Sequence, residues 1–151
     1  MQDSKHVSLP IAGHFKLDES LSPKTKEEKE MMSKIPYSNA VESLMYSMVS
    51  TRPDLRFAMN VLSRFTSNPG KVHWEAMKWM LRYIKGTFDI GLIYEKKEET
   101  KLKLEGFVDA DYVGNKDNRR STTFYVFYLN GCCISRKTQL QPIVAFSTTE
   151  A

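Results

Sequence analysis

Two aspartates that lie two positions apart have residue types and spacing suited to a metal site. Asp109 and Asp111 follow the apolar pair Phe107 and Val108 and precede a polar loop. Side chains alternate along a strand, so both carboxylates are expected on one face. Two like charges this close favour a cation between them, and Mg²⁺ is a hard ion that takes carboxylate oxygens. Two-metal phosphodiester-cleaving sites begin with such a strand-end aspartate, although aspartates there also commonly bond their own backbone in a turn.

Cationic residues follow this pair in the next loop. Arg119 and Arg120 lie in the polar stretch that runs from 115 to 121. Positive charge beside a metal site suits a polyanionic substrate, so both arginines are candidate nucleic-acid contacts. The alternative is that adjacent arginines in a loop simply form part of the surface.

A third group of candidates lies on a helix in the first half of the chain. The stretch from 71 to 86 has an apolar stripe of Met77, Met80, Leu81 and Ile84, and its remaining positions interleave cations with aromatic residues. The cations are expected to face phosphates, and Trp74 or Tyr83 would pack on sugars or bases. The alternative is a solvated basic face with its tryptophan in a core. The four cations are Lys71, Lys78, Arg82 and Lys85.

Composition narrows the class of protein. The chain has 151 residues, of which 41% are hydrophobic and 26% charged, values near the globular average. A net charge of +4 and a pI near 9.0 permit nucleic acid as a partner without requiring it. No apolar run approaches the length of a membrane span, and the first six residues lack the apolar core of a signal peptide, so neither kind of segment is expected. Cys132 and Cys133 are adjacent, which disfavours a disulfide between them and indicates an intracellular, reducing setting.

Hydrophobic periodicity predicts helices in the first half. Residues 1–35 are polar and are expected to form a linker or extended segment, with a short exposed helix or solvated linker at 26–30. Ser38 or Asn39 is expected to cap a first helix, and Pro53 opens a second. The first stripe is Val41, Leu44, Met45, Met48 and Val49, and the second is Leu55, Ala58, Met59, Leu62 and Phe65.

The second half changes to a strand-like period. Short strands are expected at 91–94 and 102–108, and a central strand at 122–129. Asn130-Gly131 is a hairpin turn signal before a returning strand at 132–136, and Ser147 to Glu150 resembles a capping box that opens a helix. The predicted fold class is α+β, a helical segment followed by an antiparallel three-stranded meander.

Several collinear motifs resemble copia-type LTR-retrotransposon Pol polyproteins. Residues 36–46 look like "PYxxAVGSLMY", and 51–55 look like "TRPDI". Residues 68–87 match "NPGxxHWxAxKWxLRYLKGT", and 107–114 resemble "GYxDADWAGD". Residues 117–122 are similar to "DxRRSTSG", and 144–151 to "VALSTTEAEY". The resemblance runs from about Val7 to the last residue.

The resemblance implies a division into three parts. Residues 1–35 would be a polar linker, 36–90 the thumb and connection helices of a reverse transcriptase, and 91–151 an incomplete RNase H-like domain. In that family RNase H cleaves the RNA strand of an RNA–DNA hybrid with two Mg²⁺ ions. Asp109 matches the first-strand catalytic aspartate, and Asp111 would share its metal. The second glutamate of "TEAEY", a further ligand, would come after Ala151, so Glu150 is a poor substitute.

The sequence departs from the family motifs at three positions, and the resemblance also implies a function and partners. Glu42 replaces a family glycine, Phe124 replaces the glycine of "STSGY" and is expected to disturb its strand, and Arg136 replaces a tryptophan. The implied function is a fragment of a polyprotein for reverse transcription and hybrid cleavage, inactive alone. The alternatives are a non-catalytic nucleic-acid-binding module or a non-functional relic. Implied partners are an RNA–DNA hybrid or other nucleic acid and the rest of the polyprotein, with no membrane. The implied location is intracellular, in the cytoplasm (in virus-like particles in the family) or the nucleus.

Overall fold

Helices occupy the first part of the chain and a small sheet the second, as the α+β prediction requires. The structure is a computed structural model that describes residues 4–96, 101–115 and 117–150. It divides the chain between Gly91 and Leu92 into a helical unit and a sheet unit. No helix among the described residues is both long enough and apolar enough to cross a membrane.

Four α-helices build the helical unit: α1 (Lys26–Ser33), α2 (Tyr37–Ser50), α3 (Arg56–Ser63) and α4 (Lys71–Gly86). A capping box starts α1, because Thr25 Oγ1 accepts from the Glu28 amide while Glu28 Oε2 accepts from the Thr25 amide, each at 3.2 Å. The short 3₁₀ turn Pro53–Leu55 precedes α3, with Pro53 in its first turn as expected.

Helix α2 begins without the predicted cap. Pro36 is its N-cap and makes no side-chain bond, so Ser38 and Asn39 lie inside the first turn. The start of the helix is fixed by packing instead, because Tyr37 is 1% exposed and its hydroxyl donates to the Leu62 carbonyl at 2.8 Å. The prediction of a Ser38 or Asn39 cap was therefore wrong.

One core holds the helical unit together. All five apolar residues predicted for the second helix are buried, and four of them belong to this core. The α2 stripe is only partly right, because Met45 and Val49 are 42% and 67% exposed while Val41 and Leu44 are buried. The apolar arc of α2 is thus wider than the face that contacts α3. The buried cluster consists of Tyr37, Val41, Leu44, Leu55, Ala58, Met59, Leu62, Ala76, Met77, Met80 and Tyr83.

The first residues of the chain, expected to be a polar linker, pack along α4. Their apolar side chains Val7, Ile11, Phe15 and Leu17 lie against the core cluster. A Cβ on Gly86 would lie 2.6 Å from the His6 Cβ, so segment and helix are in close contact. The linker prediction missed this because four apolar residues spread over eleven positions match neither a helical nor a strand period.

An antiparallel sheet forms the second unit, in the order β1 (Leu104–Asp111), β2 (Thr122–Leu129) and β3 (Cys132–Leu140). The predicted meander and its central strand are confirmed. Asn130 and Gly131 form the turn between β2 and β3 with φ of 48° and 82°, the left-handed backbone that such hairpins require. β3 continues four residues beyond the predicted end at Arg136.

Three expectations for this unit were wrong. Residues 91–94 form no strand, and Ser147 to Glu150 form a turn rather than the start of a helix. Phe124 pairs with Asp109 and Thr138 in continuous register, and the irregularity in the sheet falls at Phe127 and Tyr128 instead. A bulky side chain at position 124 is therefore compatible with the sheet.

The register assigns side chains to two faces. The carboxylate face includes all three acidic residues of the strands, and Phe107 and Tyr128 meet on it with ring centroids 6.1 Å apart. The opposite face, called the lysine face, carries Lys137 across from Tyr125. The β1 residues of the carboxylate face are Glu105, Phe107, Asp109 and Asp111, and those of the lysine face are Leu104, Gly106, Val108 and Ala110.

Candidate functional site

Strand β1 brings the two predicted carboxylates to one end of the sheet. Asp109 pairs with Phe124, and Asp111, the last residue of β1, pairs with Thr122, the first of β2. Alternation along the strand puts both on the carboxylate face, as their spacing predicted. The two carboxylates are therefore placed on the side of the sheet where they could bind one cation together, but their surroundings differ.

Asp111 holds the loop that follows it. Its Oδ1 atom accepts a short hydrogen bond from the Thr122 amide. A Cβ on Gly114 would collide with both Oδ atoms of Asp111, so the glycine permits this close approach. Asp111 is half-buried, and its carboxylate closes the connection between β1 and β2. This bond is not the local turn that was the alternative for the pair, because Thr122 lies eleven positions along the chain.

Asp109 has a more open carboxylate. The side chain is exposed, and its Oδ1 accepts from the neighbouring Ala110 amide at 2.9 Å. A carboxylate held this lightly can turn toward a cation or a ligand without breaking a tertiary contact. Of the two aspartates, Asp109 is thus the better candidate ligand.

The loop between β1 and β2 is closed by its own hydrogen bonds. The Asn115 amide donates to the Arg120 carbonyl at 3.1 Å, and the Val113 amide donates to the fully buried Ser121 Oγ at 3.2 Å. The Arg120 amide donates to Asn118 Oδ1 at 3.1 Å. Because the loop returns on itself, both predicted arginines lie at the same end of the sheet as the two aspartates. Arg119 is exposed and Arg120 is half-buried.

The donor set for a metal is small. No group of three or more His, Cys, Asp or Glu side chains gathers in a metal-binding arrangement within residues 4–96, 101–115 and 117–150. One open carboxylate with a half-buried neighbour suits Mg²⁺, which is commonly held through one or two carboxylates together with substrate phosphates. The residues present therefore fit a Mg²⁺ ion that other ligands help to hold.

The four cations predicted on the third helix form two pairs on α4. Lys71 and Lys78 line an open groove of about 670 Å³ between α4 and α1, whose wall includes Trp74 and Met32. Glu28 and Glu75 line it too, so the lysines there share the groove with carboxylates.

Arg82 and Lys85 bind the first segment of the chain. Arg82 Nε donates to the Lys5 carbonyl at 2.7 Å, and Lys85 Nζ donates to the Ser4 carbonyl at 3.1 Å. Both acceptors are backbone carbonyls, so these bonds use part of the hydrogen-bonding capacity of the two side chains. Phosphate contact by these residues would require some of these bonds to be exchanged.

The aromatic residues of α4 pack against the rest of the helical unit, Tyr83 in the core and Trp74 half-buried at the wall of the groove. Tyr83 is 8% exposed, and its hydroxyl donates to Asp54 Oδ2 at 2.9 Å. Trp74 meets the buried Tyr37 ring edge-on at 6.4 Å. The interpretation of Tyr83 as a residue that packs on sugars or bases was wrong, because its ring belongs to the core.

A partly buried ion pair that the sequence interpretation missed lies beside Tyr83. Arg52 Nη2 and Asp54 Oδ2 are 2.7 Å apart, and Arg52 also donates to the carbonyl and the hydroxyl of Thr87 at 2.8 and 2.7 Å. Burial acts to raise the pKa of Asp54, but the hydrogen bonds from Arg52 and Tyr83 outweigh it and hold that pKa below its ordinary value. Burial and the bond to Asp54 raise the pKa of Tyr83. The sequence feature that could have indicated this ion pair is the arginine and the aspartate on either side of Pro53.

Comparison with known proteins identifies relatives along the full length of the chain. It is 52% identical over 151 residues to the retrovirus-related Pol polyprotein from transposon TNT 1-94 of Nicotiana tabacum, and 39% identical over 151 residues to that from transposon RE2 of Arabidopsis thaliana. The chain spans only 11% and 10% of the lengths of these two polyproteins. No protein-family model and no solved structure matches it.

A shorter relative is covered over most of its own length. The secreted RxLR effector protein 161 of Plasmopara viticola is 46% identical over 119 residues, which are 79% of this chain and 82% of that protein. The resemblance stated from the motifs is thus confirmed at the level of the polyprotein. The chain therefore corresponds over its whole length to one segment of retrovirus-related Pol polyproteins from plant transposons, which supports a fragment of a copia-type retrotransposon polyprotein.

Proposed function

We propose that this chain is the segment of a retrotransposon polyprotein that joins reverse transcriptase to RNase H and that handles an RNA–DNA hybrid. The observation that carries the proposal is the exposed Asp109 carboxylate on β1, next to a self-closed loop with two arginines. Kinship with Pol polyproteins supplies the reaction class, and the donor chemistry at the end of β1 agrees with it.

Each residue has a role in this proposal. Asp109 is the carboxylate that would hold Mg²⁺, and Asp111 fixes the loop through the Thr122 amide. Arg119 and Arg120 attract the phosphate backbone of the hybrid. When bound, Mg²⁺ would neutralise phosphate charge and lower the pKa of an attacking water. Lys71 and Lys78 on the helical unit would add to the attraction of nucleic acid.

In this proposal the described residues bind the RNA–DNA hybrid but do not cleave it. One open carboxylate and one occupied carboxylate do not fix two metal ions, so hydrolysis would need ligands from elsewhere in the polyprotein. The remainder of the polyprotein is therefore the proposed protein partner, and the proposed location is intracellular. The second candidate function, a non-catalytic nucleic-acid-binding module, is favoured by the same arginine loop.

Binding to a fluorescein-labelled RNA–DNA hybrid, followed by fluorescence anisotropy at several salt concentrations, tests the proposal. Arg119→Gln with Arg120→Gln should weaken binding and reduce the salt slope by about 2, because each arginine that binds a phosphate adds roughly 1 to that slope. Lys26→Gln with Lys29→Gln on α1 is the matched control, since it removes the same charge from an exposed helix. Equal weakening in both double variants would show that only net charge matters.

Incubation of the hybrid with the chain and MgCl₂ tests catalysis separately. We expect no cleavage by the chain alone. Cleavage that disappears in Asp109→Asn would show that the site is complete without further ligands and would overturn the proposed division between binding and catalysis. Adding the neighbouring polyprotein segments in trans is the complementary experiment, and cleavage that depends on Asp109 is expected there.

A further inference from the structure

The two faces of the sheet differ in charge. All three acidic residues of the strands lie on the carboxylate face, where Arg136 offsets one of their charges. On the lysine face the charged strand residue is Lys137, which stands opposite Tyr125 in the register. Without a bound cation the carboxylate face would repel an anionic ligand, whereas the lysine face would accept one with no metal ion.

Both faces of the sheet reach solvent, but the carboxylate face has buried residues at its centre. Phe107 on that face is 59% exposed, whereas Val126 and Cys133 are each 7% exposed. On the lysine face Val108 is 73% and Phe127 is 38% exposed, and Lys137 is exposed as well. Water therefore reaches both the rings and the cation on this face.

Two aromatic rings lie side by side in the middle of this face. Tyr125 and Phe127 occupy alternate positions of the central strand, with ring centroids 5.6 Å apart and planes inclined at 55°. Phe127 lies against the backbone of Gly106 on β1, where a Cβ would come within 2.7 Å of the ring. Phe127 is thus packed against β1, and both rings stand on the central strand of the sheet.

We propose that the lysine face binds single-stranded nucleic acid, with bases stacked on Tyr125 and Phe127 and a phosphate near Lys137. Aromatic side chains at alternate positions of a central strand are a common platform for unpaired bases, because every base has a π-face. A paired hybrid offers no such base faces along its length. This inference goes beyond the proposed function, which concerns the carboxylate face and duplex backbone.

Leucine substitutions distinguish stacking from general apolar contact. Binding of the full chain to a fluorescein-labelled oligo-dT and an oligo-rU is measured by anisotropy. Tyr125→Leu and Phe127→Leu keep apolar area but remove the π-face, and each should weaken binding by about fivefold to 150-fold. The exchanges Tyr125→Phe and Phe127→Tyr should bind within about twofold of the original chain, which shows that the fold tolerates change at these positions.

Matched controls separate this surface from the rest of the molecule. Phe107→Leu changes a 59% exposed aromatic residue on the carboxylate face, and it should leave binding unchanged. Lys137→Gln should reduce the salt slope by about 1. Arg119→Gln should weaken hybrid binding more than oligo-dT binding, so failure of this proposal and failure of the proposed function give different results.

Three results would overturn the proposal. Binding to the oligonucleotides that is as tight in both leucine variants as in the original chain excludes stacking. Weakening as large in Phe107→Leu as in Phe127→Leu would show that the lysine face is not the site. The third result is the absence of oligonucleotide binding together with a dimer in size-exclusion chromatography that both leucine variants preserve. This face would then be an apolar contact between two copies of the chain.

Discussion

Replacing Asp54 with asparagine removes the charge at the centre of the buried network in the helical unit. The Asp54 carboxylate accepts from Arg52 Nε at 3.0 Å and Nη2 at 2.7 Å, and from the Tyr83 hydroxyl at 2.9 Å. Arg52 joins the start of α3 to Thr87 at the end of α4. The variant would leave the guanidinium of Arg52, whose side chain is 8% exposed, without its counter-charge.

The expected cost is about 2 to 3 kcal/mol of unfolding free energy. Removing one partner of a fully buried ion pair costs about 3 to 5 kcal/mol. The Asp54 side chain is 28% exposed, and asparagine still offers one acceptor oxygen, so the loss should fall below that range. Tyr83→Phe removes one donor to the same carboxylate and should cost about 1 kcal/mol.

Tryptophan fluorescence measures this unit by itself. The two tryptophans of the chain, Trp74 and Trp79, both lie on α4, so urea unfolding followed at this signal reports the helical unit. A loss of about 2 to 3 kcal/mol lowers the urea midpoint by about 1 to 2 M. Asp89→Asn, an exposed acid in the same unit, is the control. A midpoint shift for Asp54→Asn no larger than that of the control would refute the reasoning.

The same network predicts how the stability of the unit depends on pH. The pKa of Asp54 is lower in the folded state than its ordinary value, so the unfolded state takes up a proton first as the pH falls. The stabilisation by Asp54 is therefore full above the unfolded pKa of about 3.9 and is lost as the pH falls through the lowered folded pKa. Unfolding of Asp54→Asn should lack this part of the acid dependence, while Asp89→Asn should retain it.

Three further substitutions test the local geometry of each unit. Val113→Gly should stabilise the sheet unit by about 1 kcal/mol, as measured by amide hydrogen exchange in β1. A β-branched residue at φ 57° costs about 1 to 2 kcal/mol, and the greater backbone entropy of glycine in the unfolded state offsets part of the gain. Val113→Ile keeps the branched side chain and should bring no gain. Tyr37→Phe should lower the urea midpoint measured by tryptophan fluorescence, since loss of the bond to the buried Leu62 carbonyl costs about 1 to 2 kcal/mol. Asp111→Ala should speed hydrogen exchange of the Thr122 amide several-fold, whereas Asp109→Ala should leave it unchanged.

Periodic elements with strong local signals were predictable from the sequence. The α3 stripe and the central strand β2 follow periods of 3.6 and 2, and Asn130-Gly131 encodes a left-handed turn. The pattern failed where tertiary contacts decide. Residues 91–94 are apolar enough for a strand, but a strand needs a partner edge, and no described strand pairs with them.

Polar contacts between residues far apart in the sequence could not be predicted from sequence patterns. Arg52 and Thr87 are 35 positions apart and meet only because α3 and α4 pack together. Arg82 looked like a phosphate ligand because its chemistry is right, yet the Lys5 carbonyl is 77 positions away and occupies its Nε. Residue type defines what a side chain can bind, whereas the fold decides which partner reaches it first.

The two aspartates on β1 illustrate the same point and lead to a further prediction. Their spacing gives them one face, but the return of the chain at Thr122 gives Asp111 a backbone donor and leaves Asp109 open. Mg²⁺ bound mainly through one carboxylate is held weakly unless phosphates complete its shell. Binding of Mg²⁺ and of an RNA–DNA hybrid should therefore be reciprocal, each raising the affinity for the other. At constant ionic strength, MgCl₂ should tighten hybrid binding to the original chain and not to Asp109→Asn, as measured by anisotropy. Equal effects of MgCl₂ on both proteins would show that Asp109 holds no metal in the complex.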